Sequence, residues 1–177
     1  MSDEAEEIRW AGKFITARTR GKWEYVTRAR GIRAAVIVAI DDEDHVLLVE
    51  QYRVPLQRLC LELPAGLIGD HDSAEGEDAL DAAARELEEE TGYRAERIES
   101  LGEFYSSPGM VSESFTLVRA YGLTKVGPGG GTDGEDITVH RVACAHLPQF
   151  VEMARARGLG IDVRLLMLLA PSLLGGK

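Results

Sequence analysis

The sequence predicts a mixed α/β fold in a single domain, and three observations point to it. Alternating or β-branched runs fill the first third of the chain, a helical period begins near Glu77, and two more helical segments end the chain. A length of 177 residues fits one compact domain that buries roughly 70% of the surface of its unfolded chain. We therefore expect a mixed sheet with helices packed on it.

The strands are justified by local patterns in chain order. Strands are predicted at 13–18, 23–28, 34–40, 46–52, 59–63, 97–105, 115–121 and 137–142. The third and fourth flank the acidic cluster 41–44, which is typical of a turn, so they are expected to pair as one β-hairpin of a buried sheet. Pro64-Ala65-Gly66 ends the fifth strand, because proline cannot donate to a ladder.

Helices are predicted at 77–91, 147–157 and 161–174, and the first has an unusual set of acids. At 100° per residue, its packing arc comprises Leu80, Ala83, Ala84 and Leu87. Glu86, Glu89 and Glu90 fall together on the adjoining arc, where like charges repel. A solvated acidic face is the ordinary interpretation. Because the arc lies beside the packing face, a site for a hard cation such as Mg²⁺ or Mn²⁺ is favoured.

Composition excludes several classes of protein. The formal charge is −10, from 20 basic and 30 acidic side chains, which argues against non-specific nucleic-acid binding. Two cysteines give no disulfide framework and favour a reducing compartment. The N-terminus is acidic, and no apolar run approaches the length of a membrane span. We expect a soluble cytoplasmic protein without a membrane or nucleic-acid partner.

Two loops stand out from the predicted elements. Residues 67–76 separate the short strand from the glutamate helix. The segment 127–136 contains five glycines and predicts no single preferred conformation by itself, which is typical of a lid that orders on substrate.

The run 85–93, Arg-Glu-Leu-Glu-Glu-Glu-Thr-Gly-Tyr, together with Glu77, resembles the signature of the Nudix hydrolase family. Glu77 precedes Arg85 by the seven intervening residues that the signature requires. The signature also begins with a glycine six positions before that glutamate, where this chain has His71. Gly66 is the nearest counterpart, which indicates a five-residue loop insertion.

Other segments resemble the ADP-ribose pyrophosphatase subgroup of that family. They are 61–66, Leu-Glu-Leu-Pro-Ala-Gly; 23–28, Trp-Glu-Tyr-Val-Thr-Arg; 51–53, Gln-Tyr-Arg; and Pro108, sixteen residues after Gly92. The resemblance implies an α/β/α sandwich with a mixed sheet. It also implies a homodimer formed through N-terminal antiparallel strands, with 1–30 as the dimerisation segment and 31–177 as the Nudix domain.

The resemblance implies a metal site and a general base. Glu86, Glu90 and the backbone carbonyl of Ala65 would bind the metal, Mg²⁺ or alternatively Mn²⁺. Glu89 would be a third carboxylate or, about equally, a residue bonded to ligand waters. Glu135, on the glycine-rich loop, would be the base and a further metal ligand; Asp133, Asp136 and Glu113 are the alternatives for the base.

The resemblance also implies substrate contacts and a structural role for one arginine. Trp23 would stack on the adenine, with Glu24 beside it across the dimer. Arg28 and Arg53 would bind the negatively charged groups of the substrate. The alternatives are a core tryptophan and exposed salt bridges worth at most about 1 kcal/mol. Arg85 is expected to pair with Glu77 or Glu62, since adjacent helical residues do not face each other.

The implied activity is Mg²⁺-dependent hydrolysis of ADP-ribose, a nucleoside diphosphate sugar, to AMP and ribose 5-phosphate. GDP-mannose or another nucleoside diphosphate sugar is the alternative substrate. A catalytically silent module that binds ADP-ribose is the alternative of another class.

Overall fold

Two four-stranded sheets form the centre of the fold in the computed structural model, which describes residues 4–29, 33–68, 78–132 and 134–174. The first sheet has the order β7-β4-β10-β9 and the second the order β12-β5-β6-β13. The predicted α/β class with a mixed sheet is confirmed, because β4 and β10 are parallel whereas β9 and β7 are antiparallel to their neighbours.

The strands are short and follow the chain in this order: β1 Glu6–Ala11, β2 Ile15–Arg20, β3 Trp23–Arg28, β4 Arg33–Ala39, β5 His45–Arg53, β6 Arg58–Glu62, β7 Ala65–Ile68, β8 Tyr93–Arg94, β9 Arg97–Tyr105, β10 Ser114–Tyr121, β11 Thr124–Lys125, β12 Thr138–Ala143 and β13 Gly160–Ile161. The helices are α1 Ala79–Thr91, α2 Leu147–Ala156 and α3 Leu166–Leu174.

Two hydrophobic clusters bury the faces of these elements. The first lies between α1 and the first sheet and includes Ile37, Ala83, Leu87 and Val118. The second joins both sheets to α2 and α3, with Leu48, Leu61, Leu117 and Val151 among its members. Because β4 and β10 contribute to both clusters, the first sheet is covered on both sides.

Helix α1 begins and ends as its sequence dictates. The Asp78 side chain accepts a hydrogen bond from the Leu80 N–H and caps the first turn. Gly92 ends the helix in the left-handed region with φ of 72°. The predicted packing arc was wrong at Ala84, which is exposed, whereas Ala82 is buried with Ala83 and Leu87.

The N-terminal strands β1, β2 and β3 form a separate antiparallel sheet. Its attachment to the rest of the fold includes a backbone contact, in which the Val26 N–H donates to the Met110 carbonyl at 3.0 Å and the Ser112 N–H to the Val26 carbonyl at 3.0 Å. This contact holds β3 against the segment that follows β9.

Two sequence predictions of local structure were wrong. Strands β4 and β5 share only the bridge between Ile40 and Val46 and belong to different sheets, because their edges pair with β7 and β10 and with β6 and β12. The predicted helix 161–174 starts only at Leu166. Asp162 instead caps a 3-10 turn at Val163–Leu165, after β13 has paired with β6.

In the parts of the chain that the structure describes, no helix combines the length and the apolar character needed to cross a membrane.

Candidate active site

A cavity of about 620 Å³ lies where β7, α1, β6 and the segment after β13 meet. Its described lining includes three arginines and six acidic residues: Arg28, Arg53 and Arg164, with Glu62, Glu86, Glu90, Glu113, Glu135 and Asp162. With all of these acids ionised, the nine side chains carry a formal charge of −3. The cavity therefore has an excess of negative charge on hard oxygen atoms.

The start of β7 presses against the glutamate face of α1. The Ala65 N–H donates to Glu90 Oε2 at 3.0 Å. A Cβ on Gly66 would lie 1.9 Å from the Glu86 carboxyl carbon, so only glycine permits this approach without displacing Glu86. The Pro64-Ala65-Gly66 segment thus brings backbone atoms beside two of the predicted metal ligands.

Glu90 is a nearly buried acid whose negative charge is only partly compensated by the groups around it. Burial raises the pKa of Glu90 to about 8, and the neighbouring charges of Glu86 and Glu135 add to the rise, although the Ala65 hydrogen bond and Arg53 oppose it. A cation that enters the cavity would therefore stabilise the ionised form of the Glu90 carboxyl group.

Arg85 binds its own helix neighbours Glu86 and Glu89, and its predicted pairing with Glu77 stays a prediction. Its Nη1 lies 2.7 Å from Glu86 Oε1 and 3.2 Å from Glu89 Oε2. The side chain is long enough to reach an adjacent residue, so the argument from helix geometry was too strict. Glu62 has other partners, described below, and Glu77 lies outside the described residues.

Glu89 is placed differently from Glu86 and Glu90. It is half-buried, it pairs with Arg85, and the described lining of the cavity does not include it. Its predicted role as a third carboxylate stays a prediction.

The glycine-rich loop is attached to the end of α1. The Gly130 N–H donates to the Glu90 carbonyl at 2.8 Å, and the Gly131 N–H donates to the Glu89 carbonyl at 3.0 Å. Gly129 packs so closely that a Cβ there would lie 2.4 Å from the Thr91 carbonyl carbon. The loop therefore satisfies carbonyls that the helix leaves without partners, and these contacts order its first half.

The anchored loop carries Glu135. It is exposed, it lines the cavity with Glu86 and Glu90, and its Oε2 accepts a hydrogen bond from the Thr132 N–H at 2.9 Å. Of the alternative bases, Glu113 also lines the cavity, Asp136 is absent from the described lining, and Asp133 lies outside the described residues.

Each predicted diphosphate-binding arginine has a carboxylate partner. Arg53 binds Glu62 through two bonds, Nε to Oε1 at 2.6 Å and Nη2 to Oε2 at 2.7 Å. Arg28 Nε lies 2.6 Å from Glu113 Oε1, and both side chains are half-buried. Both arginines line the cavity, so the ion pairs place them there and are not exposed bridges remote from a site.

Trp23 and Glu24 lie apart from the carboxylates. Trp23 is exposed and, with Tyr25 and Pro108, lines a second cavity of about 350 Å³. Residues alternate between the two faces of a strand, so Trp23 and Arg28 lie on opposite faces of β3. Glu24 is exposed and lines neither cavity within the described residues.

Sequence reasoning missed the wall formed by the C-terminal segment. Asp162 and Arg164 line the large cavity, and Arg164 Nη2 lies 3.5 Å from Glu62 Oε2. A local signal was present, since an aspartate two residues before an arginine can cap a turn, but nothing local shows that the turn reaches Glu62.

The donor set fits a divalent cation in chemistry, since Glu86, Glu90 and Glu135 offer carboxylate oxygens in a cavity with negative charge in excess. Within the described ranges, however, no group of three or more His, Cys, Asp and Glu side chains already has the arrangement of a complete metal site. Binding of a metal would therefore require these carboxylates to move closer together.

Comparison with known proteins identifies the family. A family model described as the NUDIX domain matches residues 31–152. The chain is 42% identical over 103 residues to the methanol dehydrogenase activator of Bacillus methanolicus, which covers 58% of this chain and 53% of the relative. It is 41% identical over 80 residues to the ADP-ribose pyrophosphatase of Bacillus subtilis, which covers 45% of this chain and 40% of the relative.

A solved structure described as an ADP compounds hydrolase has a TM-score of 0.69 and 26% identity, and the match covers 97% of this chain and 92% of that one. The alignments with the two curated relatives span only about half of their length or less. The family match spans more than half of this chain, and it includes β6, β7, α1 and Glu135, which carry most of the acids that line the cavity. The chain therefore belongs to the Nudix family.

Proposed function

We propose that this protein is a Mg²⁺-dependent pyrophosphatase that hydrolyses ADP-ribose to AMP and ribose 5-phosphate. The observation that carries the proposal is the meeting of Glu86, Glu90 and Glu135 with Arg28 and Arg53 in one cavity. The names of the Bacillus subtilis relative and of the similar solved structure support an ADP compound as substrate. Members of the Nudix family generally use divalent metals, and Mn²⁺ is the alternative ion.

The reaction is the addition of water across a phosphoric anhydride. The water oxygen forms a bond to one phosphorus, the bridging P–O bond breaks, and one product phosphate leaves with the electrons of that bond. The barrier depends mainly on positioning and on charge at the phosphoryl oxygens. Glu86, Glu90 and the Ala65 carbonyl would hold Mg²⁺, which when bound supplies positive charge and a more acidic water.

Glu135 is proposed as the general base that takes the proton of the attacking water. Its carboxylate lies on a loop anchored to the helix that holds Glu86 and Glu90. Glu113 is the weaker candidate because its Oε1 is already engaged by Arg28. Glu89 would act through ligand waters, since it pairs with Arg85 and the described cavity lining does not include it.

Arg28 and Arg53 would bind the diphosphate through guanidinium edges that their carboxylate partners leave free. Trp23 would stack on the adenine, because an exposed indole at a cavity edge offers a flat apolar surface. Glu24 would lie beside the base across the dimer interface.

The dimer is proposed to form through residues 1–30, with residues 31–177 as the Nudix domain. Strand β1 exposes Ile8 and Trp10, and the turn between β1 and β2 exposes Phe14, an unusual concentration of large apolar side chains in water. Sedimentation should give about twice the 19.4 kDa mass of one chain. A monomer at all concentrations would remove the dimer and with it the cross-subunit role of Trp23 and Glu24.

The test of the activity is a sugar-nucleotide panel. Purified protein with Mg²⁺ should release AMP and ribose 5-phosphate from ADP-ribose with a higher kcat/KM than for GDP-mannose. A higher kcat/KM for GDP-mannose would move the assignment to another nucleoside diphosphate sugar. Tight binding of ADP-ribose in calorimetry without AMP at any Mg²⁺ or Mn²⁺ concentration would replace the enzyme with a binding module.

A further inference from the structure

Four charged groups form a continuous chain along one wall of the large cavity. Arg53 binds Glu62 through two bonds, and Arg164 Nη2 lies 3.5 Å from the same Glu62 oxygen that accepts from Arg53. Arg164 in turn binds Asp162 through Nε at 2.7 Å and Nη2 at 2.6 Å. Two guanidinium groups thus lie within 3.5 Å of one oxygen of the nearly buried Glu62 carboxylate.

The C-terminal segment holds Arg164 firmly in this wall. Asp162 accepts from the Arg164 backbone N–H at 2.7 Å, and the Asp162 N–H donates to the Leu61 carbonyl at 3.0 Å. The Arg164 guanidinium lies over the Phe115 ring, 5.8 Å from its centroid. Although burial opposes ionisation, the Arg164 guanidinium keeps the pKa of Asp162 below its usual value. A side chain held in this way has little conformational entropy left to lose on binding a ligand.

Both guanidinium groups keep donors that the protein does not use. Among the described residues, Nη1 of Arg53 and Nη1 of Arg164 have no hydrogen-bond partner, although both side chains line the cavity. A planar guanidinium matches the oxygens of a phosphoryl group, and two of them compensate more charge than one.

We propose that Arg164 is a further substrate-contacting residue, which together with Arg53 binds a phosphoryl group of the substrate in the large cavity. The inference rests on the proposed function for its substrate, a nucleoside diphosphate sugar. The shared chemistry is the phosphate monoester that each product carries, in AMP and in ribose 5-phosphate.

The test is calorimetric binding of AMP and, separately, of ribose 5-phosphate to protein freed of metal by a chelator. The variant pair is Asp162→Asn alone and Asp162→Asn with Arg164→Met, since the double variant leaves no buried aspartate without its arginine. Arg141→Met is the matched control, because Arg141 also binds two acids, Asp41 and Glu43, but outside this cavity.

Replacing Arg164 in the Asp162→Asn background should weaken at least one product about tenfold or more, whereas Arg141→Met should change neither. Loss for AMP alone assigns the contact to the nucleotide phosphate, loss for ribose 5-phosphate alone to the sugar phosphate, and loss for both to a shared position. Unchanged affinity for both products, or no binding of either by the unmodified protein, would overturn the proposal.

Arg164→Lys separates direct contact from a structural role. In the same Asp162→Asn background, lysine keeps a charge that can reach a phosphate but lacks the planar guanidinium, so it should recover part of the affinity that the methionine variant loses. Binding as weak as that of the methionine variant, at an unchanged melting temperature, would assign Arg164 to holding Glu62 and overturn direct contact. None of these affinities requires turnover, so failure of the hydrolysis assay would refute the proposed function separately.

Discussion

Glu62 and Glu90 line the same cavity and are nearly equally buried, at 2% and 5% exposure, yet their surroundings are opposite. Glu62 has two arginines within 3.5 Å. Glu90 accepts from one backbone N–H and has the carboxylates of Glu86 and Glu135 as neighbours. Within the described residues, the fold thus pairs one buried acid with two guanidinium groups and gives the other no ion-pair partner, although the charge of Arg53 also acts on it.

Glu62 therefore holds two arginines in the cavity wall, whereas Glu90 is the acid that a bound cation would stabilise. Removing one partner of a buried ion pair lowers the stability severely, because the other charge is left buried without compensation. A buried acid without a cation costs free energy in the folded state, and a bound metal would offset that cost. Substitutions at Glu62 and Glu90 should therefore change stability in opposite directions.

The largest effect is expected from Glu90→Gln. Its kcat for ADP-ribose should fall on the order of 1,000-fold, because the substitution removes a proposed metal ligand. Without metal, its melting temperature at pH 8.5 should equal or exceed that of the unmodified protein, because the amide carries no charge to bury. A much lower melting temperature would show that Glu90 stabilises the fold and would break the comparison.

Glu62→Gln should mainly lower stability. Arg53 and Arg164 would lose their shared partner, and we expect the free energy of unfolding to fall by about 2 to 3 kcal/mol, less than for a fully buried pair because Arg53 is partly exposed. Urea unfolding measures it. The control is Glu43→Gln, an exposed partner of Arg141, which should cost less than about 1 kcal/mol.

The pH dependence follows from the raised pKa of Glu90. A carboxyl whose folded pKa lies near 8 instead of 4.5 favours the folded state fully below pH 4.5, and this contribution is lost as the pH rises through 8. Mg²⁺ needs the ionised form, so its apparent affinity should fall up to about tenfold per pH unit below 8. Mg²⁺ titrations from pH 6 to 9 test this, and the slope should disappear in Glu90→Gln.

A smaller effect is expected from Gly66→Ala. The added Cβ would collide with Glu86, but a flexible carboxylate can move aside, so stability should change by less than about 1 kcal/mol. The Mg²⁺ concentration for half-maximal activity should rise several-fold. Gly109→Ala is the control, since a Cβ there meets nothing within 4 Å.

Local sequence indicated the cluster of Glu86 and Glu90 but not the contact of Arg164 with Glu62. One helix carries both Glu86 and Glu90, so helical spacing was enough to predict that they lie together, and Gly92 ended that helix as predicted. Arg164 reaches Glu62 only because β13 pairs with β6 over a long separation in sequence. No local period encodes such a pairing.

Competition between partners explains the other differences. An acidic turn between two strands predicted a hairpin, but β4 and β5 each pair with other strands along both edges. The glycine-rich loop predicted no fixed shape, yet the carbonyls at the end of α1 gave it hydrogen-bond partners. The pairing of Arg85 with Glu86 and Glu89 depended on side-chain reach, which spacing alone does not report.

The most direct test of the central claim is the thermal melting of the unmodified protein, Glu62→Gln and Glu90→Gln across a Mg²⁺ titration at pH 8.5. Mg²⁺ should raise the melting temperature of the unmodified protein and of Glu62→Gln, because it relieves the charge of Glu90 in both, and should leave Glu90→Gln almost unchanged. An equal Mg²⁺-dependent rise of the melting temperature in Glu90→Gln would contradict the assignment of Glu90 as a carboxylate that binds the metal.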